Sequence, residues 1–408
     1  MSVQTHQHPK TQPEPQPQRA QQIPPTQRQT PRAQRSSSSL TARQKPGWAW
    51  AVAAAGSLAV STLITALVLD SFSFIGLGVL AGGLYVLSMY IITRAVEGRL
   101  KAVDEFWRHL IWTAFFVALL PLVSVLWSVV SKGLPTLISN PALLVTDMHA
   151  VVGATDIATQ DAGASVQGGI VHGLIGTMLI TVLASAISIP VGLLASIYLA
   201  EYGKKNVFSR SIRFFVDVMT GIPSIVAGLF AFAGLTALTE LIMGSSPQAL
   251  QGVKTGVAAA VALSVLMVPV VVRSTEEMLQ IVSHELREAS YALGISKWRT
   301  IINVVLPTAM SGIASGITLA IARVTGETAP ILVTAGYVAA TNWNPFSEWM
   351  TALPVFIYRQ LTNPTAPAAS DPSTARAWAG ALVLIIIVMG LNLGARAIAK
   401  HFAAKTIS

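Results

Sequence analysis

The sequence predicts an all-α protein that crosses a membrane eight times, and three observations carry that prediction. Of its 408 residues, 52% are hydrophobic and 11% are charged, with a mean hydropathy of +0.60. Soluble domains carry about 25% charged residues. Apolar runs long enough to span ~30 Å of hydrocarbon, about 20 residues as a helix, occur at eight places. The basic residues gather in the connectors on one side of those runs, as topology determinants do.

In chain order, residues 1–46 are rich in Gln, Pro, Ser, Thr and Arg with almost nothing to bury. They read as a disordered basic tail on the inner side, not as a secretory signal; weak attraction to anionic lipid is the sharper option. Runs at roughly 48–69 and 72–92 form a two-helix hairpin within 47–95, opened by Trp48 and Trp50 as interfacial anchors and turned at Asp70 and Ser71. A first core span at 110–130 and an outer loop fill 96–170. Spans at 171–199, 212–241, 256–272, 308–335 and 378–396 make up a domain over 171–397, and 398–408 form a C-terminal inner tail.

Charge counting tests this topology. Of the 27 Lys and Arg, 22 fall in segments that are inner if the tail is inner; Lys132, Lys254, Arg359 and Arg376 are outer, and Arg323 lies inside a span. Eight spans with both ends in the cytoplasm satisfy that bias. The net charge of +9 therefore reflects orientation and makes no basic patch with interleaved aromatics for nucleic acid. With no cysteine, disulfides, thiol chemistry and Cys metal sites are excluded. The run from His284, HELRE, lacks the second His of a zinc-binding helix, and Gly203-Lys204 lacks the rest of a phosphate loop. No cofactor is expected, and any nucleotide hydrolysis belongs to another chain.

The outer loops, 131–170 and 336–377, bear Asp147, Asp156, Asp161, Glu348 and Asp371. They either dock an external partner or merely connect spans. Gly78/Gly82, Gly312/Gly316 and Gly390/Gly394 are spaced for close helix approach. Asp217 is one turn from Arg213 and is expected to pair with it.

The inner loop 283–307 contains EASYALGISKWRTIINVVLP, Glu288 to Pro307. It reads as a short helix, a break at Gly294 in the left-handed position, and a second helix that Ser296 can cap. Leu286, Ala289, Ser290 and Leu293 fall on one narrow face, where small Ala289 and Ser290 permit close approach of another surface. Leu306 and Pro307 mark the start of span seven. A Glu-Ala pair, Gly after a fixed interval and a later Leu-Pro resemble the coupling loop of type I ABC importer permeases, with Ser290 in place of a second Ala and Val304 in place of an Ile. The resemblance implies that Glu288, Ala289, Ser290, Gly294, Leu306 and Pro307 form the contact with an ATPase.

Span seven holds Arg323, ~24 Å beyond Pro307 at 1.5 Å per helical residue. An Arg at a helix centre costs about 2.5–3.5 kcal/mol on insertion scales, and Glu327 is the expected partner. The pair is either a structural ion pair or an anion pathway in which Glu327 holds Arg323, whose planar fork suits phosphate. Gly326 and Pro330 disfavour an unbroken helix there. In span five, Gly221, Pro223 and Ser224 of TGIPSIVAGLF make either a proline kink or a broken helix whose freed amides face an anion. Pro190 of span four is expected to be a kink.

GGIVHGLIGTMLIT, IPVGLLASIYLAEY, GIPSIVAGLF, GETAP at Glu327 and TALPVFIY resemble, over residues 100–400, the PstA family of phosphate-import permeases. That resemblance implies a six-helix permease core in a bacterial cell membrane; the tail and the first two spans, the extra hairpin, fall outside that core and the family pattern gives them no role. It also implies a heterodimer with a PstC-like permease, a PstB-like ATPase dimer inside and a PstS-like phosphate-binding protein outside. Import of another oxyanion, or a secondary anion transporter, are the alternatives.

Overall fold

The computed structural model describes the backbone of residues 45–68, 74–203, 206–244, 246 and 252–405, with side chains for all of these except 395 and 398–405. The expected disordered tail, apart from its last residues, and the Asp70–Ser71 turn lie outside the described residues. Among the described residues, eight helices are long and apolar enough to cross a membrane: Ala49–Leu67, Phe74–Val96, Arg99–Ser139, Val171–Tyr202, Ser224–Met243, Gly256–Ile281, Lys297–Thr325 and Asp371–Gly394. Each meets one of the eight apolar runs. The chain divides at Pro121 into two compact units.

The first unit contains α1 (Ala49–Val68), α2 (Phe74–Val96) and the start of α3 (Arg99–Ser139). Gly78 and Gly82 let α2 approach α3: an added Cβ would stand 2.2 Å from Leu120 and 2.4 Å from Thr113. At one end of the unit the nearly buried Glu105 accepts a hydrogen bond from Thr93 Oγ1 at 2.7 Å and from Arg108 at 2.7 Å, and pairs with Lys45. Three donors compensate a carboxylate that would be costly alone.

The second unit is built around α8 (Gly256–Ile281), preceded by α4 (Gly153–Ala162), α5 (Val171–Ile197), α6 (Val207–Gly221) and α7 (Ser224–Met243). After it come α9 (His284–Ala292), α10 (Lys297–Thr300), α11 (Leu306–Thr325), α12 (Ala329–Thr334), α13 (Leu353–Thr362) and α14 (Asp371–Lys405). Two-thirds of the apolar window of α8 is buried (67%). Its small residues explain why: Ala258, Ala259, Ala260 and Ala262 admit neighbouring backbones, and packing drives helix association in lipid. Ile180 and Ala184 of α5, Leu263 and Met267 of α8, and Ala320 and Val324 of α11 meet in one core. Gly192 of α5 packs against Val271 at 2.6 Å from its would-be Cβ.

The N-terminal end of α5 is capped by a structured assembly. Arg376 and Asp156 are both fully buried and make a two-pronged ion pair, 2.9 Å and 2.5 Å. Arg376 also donates to Gln360 Oε1, Ser373 Oγ and the Gln167 carbonyl. Asp147 accepts bonds from Thr341 N and Oγ1, both 3.0 Å, and from the His149 amide. Burial alone would raise its pKa, but these donors outweigh burial and hold it below the ordinary value. Both long loops are thus organised segments that carry α4 and α13.

Several expectations change. The 212–241 run is two helices, because α6 ends at Gly221, Ile222 and Pro223 are extended, and α7 begins at Ser224. The helix of 308–335 likewise stops at Thr325 and resumes as α12. Pro307 does not open span seven, which already begins at Lys297. A π turn at Ile301–Val305 precedes it and accommodates a ring that an α-helix would set against the carbonyl four residues back. A Cβ added at Gly312 or Gly316 would stand 2.1 Å from Met278 or 2.4 Å from Ser274, whereas one at Gly390 or Gly394 would meet nothing within 4 Å among the described residues. The last helix continues to Lys405, through most of the expected C-terminal tail.

Candidate functional site

At the C-terminal end of α5, the short helix α9 stands on a buried arginine. Arg287 donates from Nε to Glu201 Oε1 at 3.1 Å, from Nη2 to the Leu279 carbonyl at 2.7 Å and from Nη1 to the Val282 carbonyl at 2.6 Å. Leu279 and Val282 end α8, where carbonyls lack helical partners, so one guanidinium caps α8, neutralises Glu201 and fastens α9. Lys297 also donates to the Glu201 carbonyl and lies 4.5 Å from the Tyr202 ring centroid. A π turn at Tyr198–Tyr202 on α5 faces this anchorage, so the loop is flanked by irregular helix on both sides.

The end of α9 follows from Gly294. Its φ is +74°, its amide donates to Tyr291 O at 2.9 Å, and the Ile295 amide donates to Ser290 O at 3.2 Å. These two bonds are the left-handed closure expected of Gly at that position. Nothing lies within 4 Å of a Cβ there, so backbone conformation rather than space demands the glycine. Ser296 occupies the cap position of α10, but its hydroxyl makes no capping bond.

Outward from this anchorage, Leu286, Glu288, Ala289 and Leu293 are exposed, Leu293 at 81%. Ser290 is not with them. It is 5% exposed, and its hydroxyl is 2.8 Å from Thr300 Oγ1, so it packs α9 on α10 instead of lying on the open face. Leu306 is partly buried against the core that contains Ile301 and Val305, and Pro307 follows it in α11. The open face is therefore Leu286, Ala289 and Leu293, with Glu288 beside it. Arg287, Glu201 and Lys297 were missed in the sequence reading. Their signal was a charged pair at the end of an apolar run (Glu201) and an arginine one residue from the motif glutamate.

The two broken helices come together. Gly228 of α7 packs on Pro330 of α12, 2.6 Å from would-be Cβ to Pro330 Cα. Ile225, Gly326 and Thr328 line one cavity of about 660 Å³. Gly221 and Pro223 are exposed and Ser224 is half-buried beside them. The helix is broken at Pro223 and not merely kinked there. Arg323 and Glu327 form no ion pair, and among the described residues Arg323 has no carboxylate within 4.0 Å. The reason is local: α11 ends at Thr325, so Glu327 leaves the helical position that would bring it over Arg323. Arg323 is exposed, on the same face of α11 as exposed Ser315 and Leu319. Asp217 does not pair with Arg213 either; it pairs with Arg273, while Arg213 binds Glu276 at 2.7 Å and the Leu199 carbonyl at 3.0 Å.

Helices long and apolar enough to span a membrane, with a short helix tied by Arg287 and open on its other face, define a multi-span membrane protein. Residues 188–408 match the family of binding-protein-dependent transport system inner membrane components. The phosphate transport system permease protein PstA 1 of Mycobacterium tuberculosis is 44% identical over 284 residues, 70% of this chain and 84% of the relative. PstA of Mycobacterium leprae is 40% identical over 305 residues, 74% and 90% respectively. A solved chain of the inward-facing MetNI methionine ABC transporter aligns with a TM-score of 0.42 and 21% identity, covering 57% of this chain and 94% of that one. The chain belongs to the PstA family of ABC importer permeases.

Proposed function

We propose that this chain moves inorganic phosphate inward across a bacterial cell membrane as one half of a heterodimeric permease with a PstC-like subunit. ATP is hydrolysed by a separate ATPase dimer, PstB-like, and phosphate is delivered by a PstS-like binding protein. In this reading both termini face the cytoplasm, α9 is inner, and the cap held by Arg376 and Asp156 is outer.

The observation that carries the reading is the pairing of an exposed apolar face with a buried anchor on one nine-residue helix. Leu286, Ala289 and Leu293 offer the ATPase a surface, with Glu288 at its edge. Arg287 ties the same helix to the inner ends of α5 and α8. Closure of the ATPase dimer would therefore displace two spans through one guanidinium. Arg323 is exposed and, among the described residues, has no carboxylate partner; in this reading it lines a pathway that the second subunit completes, with its fork available to a phosphate dianion. The broken backbone at Gly221–Ser224 supports α7 beside that pathway, and Glu327 supplies a second ionisable group near it. The test is uptake of labelled phosphate by reconstituted complex. Arg323→Gln should abolish uptake while leaving ATPase association intact, and full transport by that variant would remove Arg323 from the pathway. Glu288→Lys should release the ATPase; unchanged ATP-driven uptake would refute the coupling role.

A further inference from the structure

A cavity of about 230 Å³ opens in the cap at the α4 end, lined by Tyr337, Arg359, Gln360, Asn363 and Thr365 together with apolar Met148, Val151 and Ala339. Its volume far exceeds the 10–15 Å³ that holds a single water. Arg359 is its charged group. The guanidinium carbon lies 4.4 Å from the Tyr337 ring centroid, a contact that fixes the guanidinium without using its N–H donors. Burial keeps the Tyr337 phenol above its ordinary pKa, so the ring offers a neutral π face and no phenolate charge.

The surroundings leave that positive charge uncompensated. Among the described residues no carboxylate lies within 4.0 Å of Arg359. The nearest ion pair in the cap, Arg376 with Asp156, is internally neutral and buried. Arg376 also takes up Gln360 Oε1 and touches Thr365 Oγ1 at 3.4 Å, which fixes two walls of the cavity. Asn363 uses one amide hydrogen on Thr362 Oγ1 at 3.0 Å and has a second to offer. A half-buried, unpaired guanidinium with free donors, beside a carboxamide in a preformed cavity, is the chemistry that recognises a tetrahedral oxyanion.

We propose that the Arg359 cavity is an outer oxyanion site, separate from Arg323, in which phosphate is held between release outside and passage through the membrane. The proposal rests on the outer placement of the cap in the reading above. Because the chain contains no cysteine, Val151→Cys gives a single reporter in the cavity wall and leaves the Arg359 guanidinium and the Asn363 carboxamide in place. The complex with its partner subunits is reconstituted in vesicles and alkylated from outside with a membrane-impermeant thiol reagent, and labelling of this chain is followed with time. Inorganic phosphate alone, at millimolar concentration against chloride of equal ionic strength, should slow labelling at least threefold. Adding Arg359→Gln should remove the protection. Sulfate protecting equally would extend the site to oxyanions in general and keeps the proposal. Rates indifferent to phosphate, protection that survives Arg359→Gln, protection by the binding protein but not by free phosphate, or labelling only from inside would each overturn it. Ala339→Cys, also in the wall, provides the same readout should Val151→Cys fail to assemble. ATP-driven phosphate uptake is measured in parallel on the unlabelled complex. Uptake without protection sinks the outer site alone, whereas absent uptake in the unsubstituted complex sinks the transport reading.

Discussion

Replacing Arg287 with Met tests how α9 is held to the transmembrane helices. The substitution keeps much of the side-chain length but removes the guanidinium donors to the Glu201 carboxylate, Leu279 O and Val282 O. Glu201 is 6% exposed, so its carboxylate would be left buried without its guanidinium, a loss of about 3–5 kcal/mol for a broken buried pair. The two orphaned carbonyls add about 1–3 kcal/mol each where water cannot reach them. Because all these bonds share one group, the effects do not add, and about 3–5 kcal/mol is the expected total. Two assays follow: the unfolding free energy of the purified chain, and ATP hydrolysed per phosphate moved in vesicles. Arg287→Met should lose stability by that amount and hydrolyse more ATP per phosphate. Arg287→Met with Glu201→Leu removes the stranded charge and should recover most of the stability while leaving coupling impaired, since α9 is still untied. A single variant within about 1 kcal/mol of the parent and fully coupled would refute the reasoning.

The remaining predictions concern the open face, the cap and the loop carboxylate. Ala289→Leu should weaken ATPase association, measured by copurification, with little change in stability, whereas Ser290→Leu should overpack α9 on α10 and cost about 1–3 kcal/mol. Arg376→Met should destabilise the cap by about 3–5 kcal/mol, read by unfolding in detergent, and Asp156→Leu in the same chain should restore part of it. The Asp147 pKa is depressed by its donors, so its contribution is fully present above its unfolded value of about 4 and is lost as pH falls through the lower folded value. Hydrogen exchange at the Thr341 amide should therefore be flat across pH 5–8 once intrinsic exchange is corrected, and protection should fall only in acid; Asp147→Asn should remove that acid step.

How much of this was visible beforehand depends on whether a feature is local. The eight spans were legible because each is a single apolar run; irregularity near Pro223 and Gly326 was legible because Gly and Pro act on their own backbone, but the sequence left Pro223 as kink or break and ran both spans through. Gly294 showed itself for the same reason. Partner choice among charges was not legible. Asp217 had Arg213 one turn away, yet it pairs with Arg273, 56 residues on, because α6 lies against α8 and the nearer arginine is taken by Glu276. Arg323 and Glu327 had the right spacing for a helix that stops before the second of them. Ser290 was grouped with Ala289 by size, but Arg287 and Ser290, three apart, make the buried stripe of α9 and turn the serine inward. The buried pair of Asp156 and Arg376 joins residues 220 apart, a distance no local pattern reports. Gly390 and Gly394 show the converse, a packing motif with nothing within 4 Å of an added Cβ among the described residues.

The central claim is that this chain transports phosphate only when a separate ATPase acts on the α9 loop. Labelled phosphate uptake into vesicles carrying the permease pair and binding protein, with and without the ATPase subunits, tests it most directly. The account predicts ATP-dependent accumulation with the ATPase present, competition by unlabelled phosphate, and none without it. Accumulation by the permease alone, or ATP-driven uptake in which phosphate fails to compete, would contradict it.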